Sequence, residues 1–239
     1  MKIAFISDIH GNAVALEAVL QDIKKKEIDK VYVLGDICYR GPEPEKSLSL
    51  VRHLHTKVIK GNADEWVVRG VNEGEVAAQA LEMMNKERDW TFERLQSGDI
   101  DYLNTLPHSL AIEENGVKIH AFHATPSSLF DIVSPEAKEE DIKEKLMSKV
   151  DSHIYFYGHI HKPYIRYING RVVMNIGSTG LPFDGLTKAS YGLLKINESG
   201  ISTSIERVDY DVEKVIKQYQ DSGYPNAEMM INILRNASL

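Results

Sequence analysis

The feature that most restricts this chain is a series of short apolar runs, each ending in a loop of Gly, Asp, Asn or His. Lys2–Ile6 reads as a buried strand and stops at Ser7-Asp8-Ile9-His10-Gly11-Asn12. Leu16, Val19, Leu20 and Ile23 then recur at helical spacing, with Asn12 as the cap. Val31–Leu34 is a second strand, ending in Gly35-Asp36, and a helix follows near Glu45–His55 after the breakers Gly41-Pro42 and Pro44. Val58-Ile59 begins a third strand that stops at Gly61-Asn62. Strand, polar loop and helix in repetition predict parallel βαβ units.

From Asp64 to Asn104 the strand pattern disappears. Glu75–Leu95 is rich in Ala, Glu, Met, Gln and Lys, which favour helix. Apolar runs resume at Val117–Phe122 and His153–Tyr157, so residues 64–104 read as a helical insertion inside one domain spanning 1–239. Asn169-Gly170 between Tyr164–Ile168 and Arg171–Met174 predicts a hairpin, and Asn197–Gly200 predicts another between Ala189–Ile196 and Ile201–Val208. Val212, Val215, Ile216 and Tyr219 mark a closing helix stopped by Gly223 and Pro225, which makes 211–239 a helical tail packed on the domain.

A formal net charge of −7 argues against broad electrostatic binding to nucleic acid or to an anionic membrane. A phosphate-bearing ligand would therefore need a local source of positive charge. Cys38 is the only cysteine, which excludes an internal disulfide and fits a reducing compartment. The run after Met1 is too short for a secretory leader and no segment approaches ~20 apolar residues, so the cytoplasm is the expected location.

Asp8, His10, Asp36, Asn62, His123, His159 and His161 all stand at the ends of apolar strand candidates. In open α/β sheets, sites lie beyond the carboxyl ends of strands, so distant segments can deliver these side chains to one place. Each alone has a structural reading: Asp36 as a helix cap, Gly61–Asp64 as a turn, His123 as a packed histidine. Together they form a set of carboxylate, carboxamide and imidazole donors without thiolate, which suits Mn, Fe, Zn or Ni. Seven donors exceed one tetrahedral site and suit two metals sharing a carboxylate.

At this point the chain resembles the calcineurin-like metallophosphoesterases. The resemblance rests on Asp8-Ile9-His10, Gly35-Asp36-Ile37-Cys38-Tyr39-Arg40-Gly41, Gly61-Asn62-Ala63-Asp64, His123 and Gly158-His159-Ile160-His161. It extends through Asn175–Gly185 and Ala189-Ser190-Tyr191, a block similar to the small bacterial members, including phosphodiesterases and diadenosine tetraphosphatases. The resemblance implies an α/β four-layer sandwich of two mixed β-sheets flanked by helices. It implies that Asp8, His10 and His161 hold one metal, that Asn62, His123 and His159 hold another, and that Asp36 bridges them, with manganese the foremost metal. Two such ions lower the pKa of an intervening water and clamp phosphate oxygens during in-line attack.

On the same ground Asp36, Asn62 and Arg40 are expected at the reacting phosphate, with Arg40 and Asn62 contacting it. Arg40 also reads as a surface arginine in a Gly-Pro turn. Lys162 and Arg166 are weaker phosphate contacts, and His120 is the rival to His123. Tyr39, Trp66 and Trp90 are candidate base- or aryl-stacking groups, with buried packing the favoured reading for Trp90, and the resemblance places the Phe183-Asp184-Gly185 turn and Lys188 on the other side of the site. Many family members carry a histidine after the Gly-Asn pair that serves the leaving group; here the position is Ala63, followed by Asp64. The expected partner is a small phosphoester or nucleotide, with no stable nucleic-acid or membrane binding. The expected activity is phosphodiester or phosphate ester hydrolysis. Diadenosine tetraphosphate hydrolysis, protein serine/threonine phosphatase activity and a non-catalytic scaffold are the alternatives.

Overall fold

The computed structural model describes residues 1–239. Its architecture follows from β1 (Lys2–Ile6), a strand buried on both faces. Ile3 and Phe5 point into the space between two sheets, while Ala4 and Ile6 point to the opposite face. That is why the run is continuously apolar instead of alternating. β1 pairs in parallel with β2 (Lys30–Val33) and antiparallel with β8 (Ala189–Asn197), which turns back into β9 (Gly200–Val208). The first sheet is ordered β2-β1-β8-β9.

The second sheet is ordered β3-β4-β5-β7-β6. Its strands are β3 (Ser109–Glu114), β4 (Val117–Phe122), β5 (Ile154–Tyr157), β6 (Tyr164–Ile168) and β7 (Arg171–Asn175). β4, β5 and β7 are parallel neighbours, with antiparallel β3 and β6 at the edges. Phe5 of the first sheet stacks on Phe156 of the second at 4.0 Å between ring centroids. Around this pair Ile119, Ile154, Met174 and Leu194 close a dry interior, each contributing roughly 1.5–3 kcal/mol by burial.

Helices cover both outer faces. α1 (Ala13–Lys25) starts where the Asn12 side chain accepts the Ala15 N–H at 3.0 Å, and packs Leu16, Val19 and Ile23 under the first sheet. α2 (Pro44–His53) joins it there. The 64–104 segment contributes most of α3 (Asn62–Arg69), all of α4 (Ala78–Phe92) and most of α5 (Ser97–Thr105). Val67, Leu95 and Leu103 lie in the same apolar cluster as β1 and α1. α6 (Glu139–Leu146) covers the second sheet, setting Ile142 and Leu146 against Phe122, Tyr155 and Tyr157. α7 (Val212–Ser222) and α8 (Ala227–Asn236) form a further cluster with Val14, Trp90 and Leu181. The result is helix, sheet, sheet, helix in four layers.

Two local expectations change. Val58-Ile59 is no strand: Val58 makes a single parallel bridge to Val33 before the chain turns into Gly61. β3 occupies a stretch to which the sequence pattern assigned no element, because SLAIEE is an edge strand that is at best half-buried and ends in two glutamates. At the predicted hairpin, Asn169 and Gly170 both take left-handed φ, 50° and 74°, which a two-residue turn needs. No helix is long and apolar enough to cross a membrane.

Candidate metal centre

The strand-end loops are hydrogen-bonded to one another where the sheets stop. Asp8 N–H donates to Gly35 O at 3.1 Å, His10 N–H to Asp36 O at 2.9 Å and Gly158 N–H to His123 O at 2.9 Å. From the far side, Thr179 and Gly180 donate to the carbonyls of Ser7 and Asp8, both at 2.9 Å. Such tight fastening forces unusual backbone: Asp8, His10, Asp36, Arg40, His159 and His161 all have φ between 49° and 69°. Left-handed φ is uncommon for residues with a Cβ and persists only where surroundings over-determine it. The close approach also needs glycine, since a Cβ at Gly61 would collide with the Asp36 carboxylate and one at Gly158 with Ser7 and Asp8.

These loops gather all seven candidate donors. Asp8, His10, Asp36 and His161 present one ligand atom each within 4.8 Å of one another. His161 Nε2 lies 3.1 Å from Asp8 Oδ1 and 3.0 Å from His10 Nε2. On the other side, Asn62 Oδ1 lies 2.9 Å from His123 Nε2 and 2.8 Å from His159 Nδ1. Asp36 stands between the groups: its Oδ2 is 3.6 Å from His10 Nε2 and 3.3 Å from His123 Nε2. The Ala63 N–H holds its Oδ1 at 2.8 Å. His159 and His161 are one residue apart, yet their left-handed backbone sends one ring to Asn62 and the other to Asp8.

The histidine tautomers follow from their backbone partners. Nδ1 of His10 faces Tyr39 O at 2.9 Å, that of His123 faces Leu34 O at 2.7 Å, and that of His161 faces Leu181 O. A carbonyl accepts only a proton, so each Nδ1 carries hydrogen and Nε2 is the nitrogen turned inward, the position that takes either a second proton or a cation. These nitrogens meet carboxylate or amide oxygens and, between His10 and His161, each other. So dense a set of buried donors calls for positive charge among them, which a proton on His123 supplies in part and a divalent cation supplies in full. A divalent cation fits this donor set, and the backbone carbonyls supply the outer support that metal-binding imidazoles require.

The electrostatics agree. Burial raises the Asp8 carboxyl, but His161, His123 and His10 hold it well below the usual carboxylate range. Asp36 is lowered too, with His123 outweighing burial. Burial and then His161 push the His10 ring down to about 4, and burial and then His123 push His159 to about 4. Burial also pushes His123 down, yet the carboxylates of Asp36 and Asp8 lift it to about 10. The carboxylates thus draw positive charge to the centre of the cluster.

Asp64 is a supporting residue the sequence did not reveal. It is fully buried and accepts N–H groups from Asp36 at 2.8 Å, Ile37 at 2.9 Å and Gly61 at 2.9 Å. Burial and the Asp36 charge push its carboxyl up to about 7, against the pull of these donors. An acid three residues after Gly61 at a helix start is the capping pattern that could have announced it. The carbonyls of Leu34, Tyr39 and Leu181 carry no side-chain signature and were not readable.

A calcineurin-like phosphoesterase superfamily domain model matches residues 1–199. The chain belongs to this superfamily. An uncharacterized protein of Methanocaldococcus jannaschii is 31% identical over 93% of each chain. A metallophosphoesterase of Sphaerobacter thermophilus superposes with a TM-score of 0.81 at 26% identity, covering 99% of this chain and 100% of that one. The symmetrical bis(5'-nucleosyl)-tetraphosphatase of Erwinia tasmaniensis is 28% identical over 153 residues, 62% of this chain and 53% of that protein. The two mixed sheets and eight helices are thus the metallophosphoesterase architecture.

In this superfamily member Arg40 is no surface arginine. Its guanidinium is largely buried, with Nε 3.6 Å from Glu87 Oε2, and Tyr219 donates its hydroxyl to the Arg40 carbonyl at 2.7 Å. Tyr39, Trp66 and Trp90 are buried packing residues: Tyr39 donates to Met84 O, Trp66 to Glu75, and Trp90 packs edge-on against Tyr224. Arg166 donates to Ala137 O, Lys188 pairs with Asp209, and Asp184 pairs with Arg207. His120 sits between Phe122 and Tyr155 on the face covered by α6, away from the cluster.

Proposed function

We propose that this protein hydrolyses phosphoesters of small molecules or nucleotides at a two-metal centre. One ion would be held by Asp8, His10 and His161 and the other by Asn62, His123 and His159, with Asp36 shared. The observation that carries this reading is the set of inward Nε2 atoms on His10, His123 and His161, oriented by backbone carbonyls at Nδ1 and gathered with the oxygens of Asp8, Asp36 and Asn62. Bound there, two divalent cations supply charge for the phosphate oxygens and acidify an attacking water. The oxygen- and nitrogen-donor set suits Mn, Fe, Zn or Ni, with manganese the first to try.

The chain's own contribution is preorganisation. The Ala63 N–H fixes one Asp36 oxygen and leaves the other free between the two groups. The His159 N–H holds both Asp8 oxygens, at 3.2 and 3.0 Å. Asn62 turns its oxygen to His123 and His159, leaving its amide nitrogen free to donate to a phosphate oxygen. Arg40 lies beside Glu87, with Nε 3.6 Å from its carboxylate, and its guanidinium is the second phosphate contact in this reading. Ala63 gives no acid to the leaving group, and Asp64 beside it is fully buried with its oxygens turned to three backbone N–H groups. Esters with stable leaving anions are therefore the preferred substrates.

Dinucleoside polyphosphate hydrolysis is the second reading, supported by the similarity to the symmetrical tetraphosphatase and by Arg40-Gly41. The test is a panel of nitrophenyl diester, nitrophenyl monoester and diadenosine tetraphosphate, run with Mn²⁺ after chelator treatment. Restored turnover of at least one supports the reading, and the fastest substrate assigns its branch. No turnover with any divalent metal overturns it.

A further inference from the structure

We infer that a cavity opening beside His159 is a recognition pocket for the planar aromatic part of the substrate, a nucleobase or an aryl ring. The inference rests on the phosphoesterase reading above. The cavity has a volume of about 270 Å³, and its apolar walls come from Ile132, Ile160, Phe183 and Leu239, with Pro135 beside them. His159 belongs both to this cavity and to the donor cluster, where its Nδ1 lies 2.8 Å from Asn62 Oδ1. A phosphate at the cluster would therefore place one of its substituents at the cavity mouth.

Three properties of the walls choose the occupant. Ile132 is 69% exposed, an apolar side chain left facing water between Asp131 and the buried Val133. Phe183 lies nearly parallel to the His161 ring at 4.3 Å and 22°, so a flat surface runs from the cluster into the cavity. Apolar walls with a flat aromatic side favour a ring over a polar alkyl chain. Lys162 is the cation of the lining, placed to meet phosphate charge at the mouth, and Ser134 and Glu136 offer polar groups to the edge of a base.

The size limits the choice further. Small-molecule pockets usually hold about 300–1,000 Å³, so this one accommodates a single ring system and not both halves of a dinucleotide. Tyr39, Trp66 and Trp90 are packed into the core and give no second stacking surface. Specificity should thus be one-sided, reading one substituent of the phosphate and leaving the other in solvent.

Binding of phosphonates, whose P–C bond the enzyme cannot hydrolyse, tests this on the manganese-loaded protein by calorimetry. Phenylphosphonate should bind roughly tenfold tighter than methylphosphonate, from burial of the ring. Ile132→Asp, on an exposed position that the fold does not need, should reduce that ratio to about twofold. Equal affinities in the wild type, or a ratio untouched by Ile132→Asp, overturn the inference. The 5′-phosphonate analogue of adenosine monophosphate separates the two ring sources: tighter than phenylphosphonate assigns a nucleobase, weaker assigns a simple aryl group. Turnover of bis(4-nitrophenyl) phosphate is measured in parallel. A ring preference without turnover keeps the pocket and removes the phosphoesterase reading; turnover without a ring preference does the reverse.

Discussion

The space between the two sheets and the rim at their carboxyl ends are built from the same strands under opposite rules. Between the sheets, Phe5, Phe156, Met174 and Leu194 bury only apolar surface. A few residues further along, the same strands deliver Asp8, His123 and His159, joined by Asn62 from the start of α3, into a buried cluster of nitrogen and oxygen donors where six residues near the site take left-handed φ. The first region stabilises the fold without any partner. The second is tolerated because the first, with the cross-loop hydrogen bonds, holds it in place, and it becomes favourable when cations enter. Natural sites commonly place destabilising arrangements where function needs them.

That contrast can be broken by substitution on either side. Asp36→Ala should lower phosphoesterase turnover by on the order of 10³-fold, because the oxygen shared by both donor groups is lost. Steady-state kinetics at saturating Mn²⁺ reads this, and turnover within tenfold of wild type would separate Asp36 from the chemistry. Phe156→Ala should do the opposite. It opens a cavity between the sheets and costs about 3–5 kcal/mol in urea unfolding while bound Mn²⁺ per folded chain stays the same. If Phe156→Ala strips the metal, the rim is not independent of the interior packing.

The leaving-group contrast sharpens the rim's chemistry. With Ala63 in place of a proton donor and Asp64 held by backbone groups, nitrophenyl diesters should exceed glycerol phosphate in kcat/KM by roughly 10²-fold or more. Comparable rates would mean that an acid elsewhere serves the leaving oxygen.

The smallest effect is in pH. For chelator-treated protein, His10 and His159 have folded pKa values near 4, below the 6.5 of a free imidazole. The unfolded chain binds their protons first, so stability falls as pH drops from 6.5 towards 4. His123 is raised to about 10, so its contribution is complete below 6.5 and is lost as pH rises from 6.5 to 10. Unfolding midpoints between pH 5 and 9 should therefore peak near 6.5 with chelator, and Mn²⁺ should remove the alkaline fall because the ring is then a ligand. A flat profile with chelator would contradict these environments.

Much of this was legible in the sequence for identifiable reasons. β1 and β5 are buried on both faces and read as apolar runs, β4 keeps most of that character around the exposed Lys118 and the buried His120, and the residues following them are of ligand-forming types. The four-layer order was not contained in periodicity; it came from resemblance. β3 escaped because an edge strand with glutamates lacks an apolar run, and Val58-Ile59 was over-read because two apolar residues leading to a turn make only a bridge. Arg40 could not be placed, since its partner Glu87 lies 47 residues away on an insertion helix. The apolar cavity joins Ile132, Ile160 and Phe183 from three loops, which no local pattern connects.

The most direct measurement is an anomalous difference map from a crystal equilibrated with Mn²⁺. The account predicts two peaks, one among Asp8, His10, Asp36 and His161 and the other among Asp36, Asn62, His123 and His159, with Asp36 reaching both. A cluster that binds no manganese, or one whose histidines turn away from it, would contradict it.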